Sequence, residues 1–395
     1  MEIKFIGKVS ITNIAKLAIY IGAFIYAGVP QRFAVKYDYI PNDEIQYHLV
    51  PSTSPNADSC PVIPMTYHRG NELLKSTNYN QYEYAKELKI QKGGWWQPDS
   101  CKHVHNSVIV VPFRGRHDQL KIFLHYIHPF LQKQLISYRI IVVEQTFHKP
   151  FNRGYLLNIG FTEALKIHPF HCFIFHDVDL LPMVEMNMYA CTYKPRHLCP
   201  AINSWRYKLK YLNAFGGVVA ILREHFQIIN GFSNNYYGWG GEDDDLMQRV
   251  LKYKLGYCRF SPEVSKYNML HHKPEEKNPE RINILQEAQK RFKNDGLTSL
   301  NYTNLEYEEK PLFTHILVDL RSTLEQATAL GLCGWCMNTI EGTVKGVLEG
   351  DADKIELMKH WLQYKGSPHS KIDKVTFTNQ EEIESCSFDR FFIKH

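Results

Sequence analysis

No block of lysine and arginine stands out anywhere in the 395 residues, so the electrostatic footprint of a nucleic-acid binder is missing. Charge of one sign is equally scarce. The 46 basic and 41 acidic residues leave a formal charge of +5, nearly balanced over this length. No period repeats along the chain, which excludes solenoids and propellers. The apolar run near the N-terminus, Leu17 to Val29 (LAIYIGAFIYAGV), has 13 residues, short of the roughly 18 that mark an unambiguous membrane span. No small-residue A-x-A cleavage site follows it. Charged residues make up 22% and hydrophobic residues 44%, ordinary globular values that exclude full disorder, collagen and coiled coil.

What is present points first to the secretory membranes. Lys4, Lys8 and Lys16 precede the apolar run, with only Glu2 opposing them. Positive flanks stay cytoplasmic, and Lys16 can snorkel to that face. The reading is a single-pass type II anchor: a cytoplasmic tail at 1–10, a signal-anchor at 11–29 and a lumenal body. The run's length also suits a cleaved signal peptide. Nine cysteines fit an oxidising lumen, with at least one left unpaired or paired between chains. Asn301-Tyr302-Thr303 is a sequon, so Asn301 is a candidate glycan site.

Residues 30–59 are proline-rich, polar and without period, and read as a stem. Val108 to Val111 and Ile140 to Val143 are buried-strand signals, and Cys172 to Phe175 is a third. An amphipathic helix is expected through Leu120, Phe123, Leu124 and Ile127, and another over Asn158 to Leu165. Alternating strands and helices predict an α/β unit with a mostly parallel sheet, extending over 60–320 and closing on a strand at Thr314 to Val318. Ligands in such sheets sit at the carboxyl ends of the strands. All three early strands end in polar motifs: PFRGR, EQTFHKPFNR and HDVD. The remaining residues, 321–395, form an extension of unassigned role with a helical signal from Asp353 to Tyr364.

Asp177-Val178-Asp179 at a strand end offers two carboxylates to a hard cation, and in an extended segment both would point the same way. Met269-Leu270-His271-His272 adds imidazoles; from spacing alone, however, Met269 reads as a core residue. Trp239-Gly240-Gly241-Glu242-Asp243-Asp244-Asp245 combines a ring for stacking on a sugar, flexible backbone and four acids. One of those acids could accept a proton from a hydroxyl nucleophile. The same acids would complement the N-terminus of a helix over Leu246 to Leu251. Arg114, Arg116 and Arg153 supply guanidinium forks suited to a diphosphate. Phe215-Gly216-Gly217 precedes an apolar strand, Val218 to Ile221, and allows close approach of backbone to a ligand or a bulge.

Together and in this order, these segments resemble the β-1,4-galactosyltransferase family. The matching stretches are VPFRGR (111–116), FNRGYLLNIGF (151–161), FIFHDVDLLPM (173–183), AFGGVVAI (214–221), NGFSNNYYGWGGEDDD (230–245), MLHHKPEEKNPER (269–281) and PLFTHI (311–316). The resemblance implies a GT-A-like fold in a Golgi-membrane enzyme. Such an enzyme uses Mn²⁺ to move galactose from UDP-galactose to terminal GlcNAc with inversion. It makes Asp179, Met269 and His272 the metal ligands. Pro112, Phe113, Arg114, Arg116, Phe151, Asn152, Arg153, Val178 and Asp179 become the donor contacts. Trp239 becomes the ring that closes over donor and acceptor, with Gly241, Glu242, Asp243 and Asp244 binding acceptor and Asp243 as general base. Arg281 and Ile282 would line the acceptor's N-acetyl pocket. Cys60 with Cys101, and Cys172 with Cys191, would be the family's two disulfides.

Three departures accompany the resemblance. Ala214 stands where vertebrate members carry a tyrosine beside the donor sugar, which makes room for an N-acetyl group and admits UDP-GalNAc as donor. Tyr237 replaces a loop tryptophan. The stretch from His272 to Arg281 is shortened, and the chain runs on past 320. Cys333-Gly-Trp-Cys336 in that extension has redox-motif spacing, with a local disulfide or free thiols as the simpler reading. Two other functional classes compete: a secreted glycan-binding protein of the same fold that lacks turnover, and a metal hydrolase. Asp179, His272 and Asp243 together argue against the first, and the arginine-bearing strand ends against the second.

Overall fold

The computed structural model describes residues 39–63, 78–273, 275–321, 323–339, 343–364, 375–378 and 381–394. The expected tail and anchor at 1–29 lie outside them. Among the described residues no helix is long and apolar enough to cross a membrane.

The strands in chain order are β1 (Trp95–Trp96), β2 (Asn106–Phe113), β3 (Ser137–Gln145), β4 (Cys172–His176), β5 (Leu180–Pro182), β6 (Arg196–His197) and β7 (Ala201–Ile202). They continue with β8 (Val218–Leu222), β9 (Lys266–Met269), β10 (Thr303–Glu309) and β11 (Thr314–Asp319). Eight of them form one sheet in the order β10-β11-β3-β2-β4-β8-β6, with β1 beside β3. β11, β3, β2 and β4 run parallel, while β10, β8, β6 and β1 are antiparallel to their neighbours. The sheet is therefore mixed, as expected, but only its centre is parallel: β11, β3, β2 and β4 run together and each flanking strand opposes its neighbour.

The two continuous apolar runs pair in register, Ile109 with Ile140 and Val111 with Val142. Side chains alternate across a strand. Ile109 and Val111 enter one core with Leu120, Phe123, Leu124 and Ile127 of the helix His117–Lys133. Val108 and Val110 enter the other with Leu156, Leu157 and Ile159 of the helix Arg153–Ile167. A sheet covered on both faces needs apolar residues at every position, which is why these strands show no polar alternation. Gly160 brings the second helix unusually close: a Cβ there would lie 2.2 Å from Val110 Cγ1. That packing fixes Arg153, the helix's first residue, beside the strand ends.

The stem boundary needs correction. Ile45 and Leu49 are buried in the same core as β2, and the Ile40 amide donates to the Arg259 carbonyl at 2.9 Å. From Tyr39 onward the chain is part of the folded unit, so residues 39–59 belong to it and not to a stem. Burial of isolated apolar residues by distant partners leaves no periodic trace in the sequence. Both expected disulfides form, Cys60–Cys101 and Cys172–Cys191, the second tying the start of β4 to the segment before β6.

Beyond β11 lies a second small sheet. β12 (Cys333–Asn338) pairs antiparallel with β13 (Val344–Glu349) and parallel with β14 (Phe391–Ile393). The helix Ala352–Tyr364, one residue longer than expected at its start, contributes Met358 and Trp361 to a separate core with Ala327, Leu332 and Phe391. Cys333 and Cys336 both sit on β12. Residues three apart on a strand face opposite sides, so they make no local disulfide, and the redox spacing has no redox geometry.

Candidate active site

The parallel strands β2, β3 and β4 deliver their three polar motifs to one edge of the sheet. Pro112 and Phe113 end β2 and are buried, Phe113 packing edge-on to His117 at 5.3 Å between ring centroids. Arg114 follows. Its Nη1 donates to the Lys149 carbonyl at 2.7 Å, and its guanidinium lies 5.5 Å from the Phe147 ring centroid and 5.3 Å from that of Phe151. Its other end meets Glu275 at 3.5 Å. Arg116, two residues on, reaches Asp179 Oδ2 at 3.4 Å. Gly115 through Gln119 face His271–Lys273, Glu275 and Glu276 across an open cleft of about 780 Å³, within the roughly 300–1,000 Å³ range of ligand sites.

The Asp-Val-Asp segment departs from expectation. It forms a turn between β4 and β5, not an extended strand end. Its carboxylates therefore take different partners. Asp177 Oδ1 accepts from Arg153 Nε at 2.6 Å. Asp179 Oδ2 lies 2.8 Å from His272 Nδ1. Val178, between them, is buried. A small sheet, β5-β9-β7, makes the meeting with His272 happen: Met269 on β9 pairs with Leu180 on β5, and the Leu270 amide donates to the Asp179 carbonyl at 2.7 Å. His272 and Asp179 are thus brought together from distant parts of the chain, while Met269 on β9 packs against the core with its Sδ 3.6 Å from Ser204 Oγ.

That group suits a divalent ion. Burial, and then Asp177, push the Asp179 carboxyl above its ordinary range, while His272 and Arg116 oppose the shift. A buried carboxylate with its charge only partly offset gains from a cation. Carboxylate oxygen, imidazole nitrogen and a thioether are donors a first-row transition metal accepts. A second cluster, Glu306, Glu308 and His315, lies on the β10–β11 hairpin, but both its glutamates are exposed and His315 is bound by Glu144 at 2.8 Å.

The four acids after Gly241 divide by function. Gly241 caps the helix Glu242–Lys252 with φ +99°, and a Cβ there would meet Tyr236 Cε1 at 2.6 Å, so only glycine fits this turn. Asp245 is fully buried and pairs with Arg249 at 2.6 Å, a structural role. Asp244 accepts from the Tyr211 hydroxyl at 2.8 Å. Glu242 lies 3.7 Å from Arg153 Nη1. Asp243 is half-buried at the helix N-terminus, its Oδ1 accepting from the Asp244 amide at 2.9 Å. Burial, and next to it Asp244, raise the Asp243 carboxyl above its ordinary value. Burial, followed by Asp243, pushes Glu242 up to about 8. Two adjacent acids raised together give up their protons in succession, because the first charge opposes the second.

Arg153 ties the motifs together. It holds Asp177, faces Glu242, and donates from Nη2 to the Gly217 carbonyl at 3.2 Å. Gly216 leaves the space that Asp243 occupies: a Cβ would come within 2.4 Å of Asp243 Oδ2. Gly216→Ala is therefore expected to displace that carboxylate and cut turnover by about 10²-fold, as for a catalytic group moved by ~1 Å, with little change in thermal midpoint. Steady-state rates beside a melting curve check this. Ala214 is buried, its carbonyl accepting from Arg259 Nη2 at 2.7 Å. Trp239 is exposed, held by backbone bonds to Glu276 and Asn278, with Lys210 and Lys277 near its ring. Arg281 adjoins the same loop, donating to the Asn278 carbonyl at 2.9 Å, and Ile282 beside it is exposed.

Some expected residues sit elsewhere. Asn152 is wholly buried. Its oxygen caps the Tyr155 amide and its Nδ2 donates to the Asn234 carbonyl. Its side chain shapes the Phe151–Arg153 turn. Asn301 is half-buried, its amide donating to the Tyr155 hydroxyl at 2.7 Å. Sequence reading passed over Lys149, Tyr211 and Glu275, each of which binds a site residue. Lys149 lies inside the polar stretch that ends β3 and Glu275 inside the matching stretch 269–281, whereas Tyr211 carried no signal.

Comparison with known proteins now decides the family. A model described as the N-terminal region of glycosyl transferase group 7 matches residues 60–192. Another, described as the N-terminal domain of galactosyltransferase, matches residues 196–273. A rat β-1,4-galactosyltransferase 4 is 41% identical over 285 residues, 71% of this chain and 83% of the relative. The chain belongs to the β-1,4-galactosyltransferase family. The human β-1,4-galactosyltransferase 4 is 42% identical over 66% of this chain and 77% of its own. A solved Drosophila β1,4-galactosyltransferase 7 variant, in complex with manganese, UDP-Gal and xylobiose, is 26% identical. It aligns to 65% of this chain and 99% of its own, with a TM-score of 0.47.

Past the galactosyltransferase portion, a family model described as acylphosphatase matches residues 320–393. That range takes in the small sheet, its two helices and their separate core. The extension is thus a folded appendage of a galactosyltransferase-family chain, with a family likeness of its own.

Proposed function

We propose that the chain is a manganese-dependent inverting glycosyltransferase. It moves galactose or N-acetylgalactosamine from a UDP-sugar to the 4-hydroxyl of terminal N-acetylglucosamine on glycoproteins or glycolipids, forming a β-1,4 link. It works as a type II membrane protein of the Golgi, with the folded unit in the lumen. One observation carries the reading: Asp179 with His272, and Glu242 with Asp243, are joined through Asp177 and Arg153 at one sheet edge.

Asp179, His272 and Met269 would hold Mn²⁺, which when bound offsets charge on a departing diphosphate. The chain's own residues do the rest. Arg114 and Arg116 face the anionic donor from the end of β2. Phe113 and Phe151 frame the base. Trp239 covers the sugars. Arg281 and Ile282 receive the acceptor's N-acetyl group, next to Gly241. Asp243 accepts the proton of the attacking 4-hydroxyl, and Asp244 and Glu242 hold the acceptor's other hydroxyls. A single displacement by an in-line alcohol inverts the anomeric centre and needs one base, with no covalent sugar–enzyme step.

The names of the relatives support galactose as the moved sugar. Ala214 supports GalNAc as well, because a small buried side chain leaves room beside the sugar's C2 substituent. Donor profiling with a GlcNAc acceptor tests both parts, with Mn²⁺ present and absent. Transfer from both UDP-sugars is expected, and only with metal. Strict use of UDP-Gal would overturn the GalNAc part. Absence of transfer from either, with glycan binding retained, would replace the enzyme by a lectin-like protein.

A further inference from the structure

Among the described residues, the C-terminal appendage meets the proposed donor side of the cleft through a charged pair. Glu325 lies on its first helix, Thr323–Ala329, within the acylphosphatase-like range and past both galactosyltransferase models. Glu325 Oε1 is 2.6 Å from Lys149 Nζ. Lys149 is the residue whose carbonyl holds Arg114 at 2.7 Å and also accepts from Gln145 Nε2 at 3.2 Å. Its ammonium lies 5.3 Å from the centroid of Tyr237, two residues before Trp239. One residue therefore joins three things: its carbonyl holds the guanidinium at the end of β2, and its ammonium meets the aromatic loop that carries Trp239 and the appendage.

A lysine held only by a ring face is mobile, since an exposed cation–π contact contributes roughly 0.5–1 kcal/mol. A carboxylate in contact with its ammonium restricts the stem and, through the main chain, the carbonyl that orients Arg114. Where the chain leaves β11 for the appendage, Arg321 pairs with Asp319 two residues before it.

We propose that Glu325 is a positioning residue for donor binding. By clamping Lys149 it orders Arg114 and the Tyr237–Trp239 loop, so the appended unit sets the affinity of this site for a nucleotide sugar. Glu325 touches no reacting atom, and its effect falls on binding and not on the chemical step. The inference rests on the donor site proposed above.

The test uses the full-length chain and its Glu325→Gln variant. Calorimetric Kd for UDP with Mn²⁺ and KM for the UDP-sugar are both expected to rise about two- to five-fold, the span open to a partly exposed ion pair. The kcat value and thermal midpoint should stay unchanged. Glu325→Asp should recover part of the affinity. In a Lys149→Met background the Glu325→Gln change should have no further effect, and salt should weaken donor binding more in the wild type than in Glu325→Gln. Equal Kd and KM in wild type and Glu325→Gln would overturn the proposal, as would additive losses in the double variant. A wild type that binds no UDP at all would instead defeat the donor-site reading, which separates the two failures.

Discussion

Asp243→Asn is expected to bind the UDP-sugar as the wild type does and to lose transfer by about 10²–10⁴-fold, the usual contribution of a general base. Asn matches Asp in shape, so the contact with the Asp244 amide and the room left by Gly216 are preserved. The loss would then report the proton-accepting oxygen alone. Titration calorimetry with UDP and Mn²⁺ beside a turnover assay decides. Wild-type turnover in the variant would remove Asp243 from the role. The pH profile provides a second reading. Asp243 must be ionised to accept a proton, and burial raises its carboxyl, so activity should climb with pH above the ordinary carboxylate range. Glu242 beside it is pushed up to about 8. As pH rises through about 8 a second carboxylate appears beside the base, and the profile should bend there. Glu242→Gln should remove that bend.

The sequence shows the architecture because the strands that build it are locally complete. Val108 to Val111 and Ile140 to Val143 are apolar at every position, and such runs have one stable home, between two helical layers. The polar motifs follow their strands directly, so parallel strands had to bring them to one edge. Spacing alone assigns Met269 to a core, and it does pack there; its place as a ligand comes from the resemblance. What stayed hidden depends on partners remote in the chain. Arg153 and Asp177 lie 24 positions apart, and nothing local marks Asp177 as an arginine partner instead of a second metal ligand. Asn152 has the residue type of a ligand contact and the environment of a helix cap. Ile45 and Leu49 sit in a polar, proline-rich stretch, and only the completed core reveals their burial.

Asp179→Asn, combined with His272→Ala, is expected to abolish Mn²⁺-dependent transfer, a loss of 10³-fold or more in the assay. Two of the three proposed ligands are removed, and a lone thioether holds no hard cation. The sharper measurement is independent of turnover: the electron-spin-resonance signal of free Mn²⁺ should fall on adding wild-type protein and stay unchanged on adding the double variant. Stability argues in the same direction. Burial and then Asp177 raise the Asp179 carboxyl while His272 and Arg116 oppose the shift, so a bound cation would favour its charged form. Mn²⁺ should therefore raise the thermal midpoint of the wild type, and the double variant should gain nothing from it. Replacing Asp179 by neutral Asn removes a buried charge, so the metal-free variant should melt no lower than the metal-free wild type. A variant that melts early would mean that Asp179 serves the fold through Arg116 and His272. One that keeps its midpoint but ignores manganese shows a carboxylate retained, at a cost to stability, for the ion it binds.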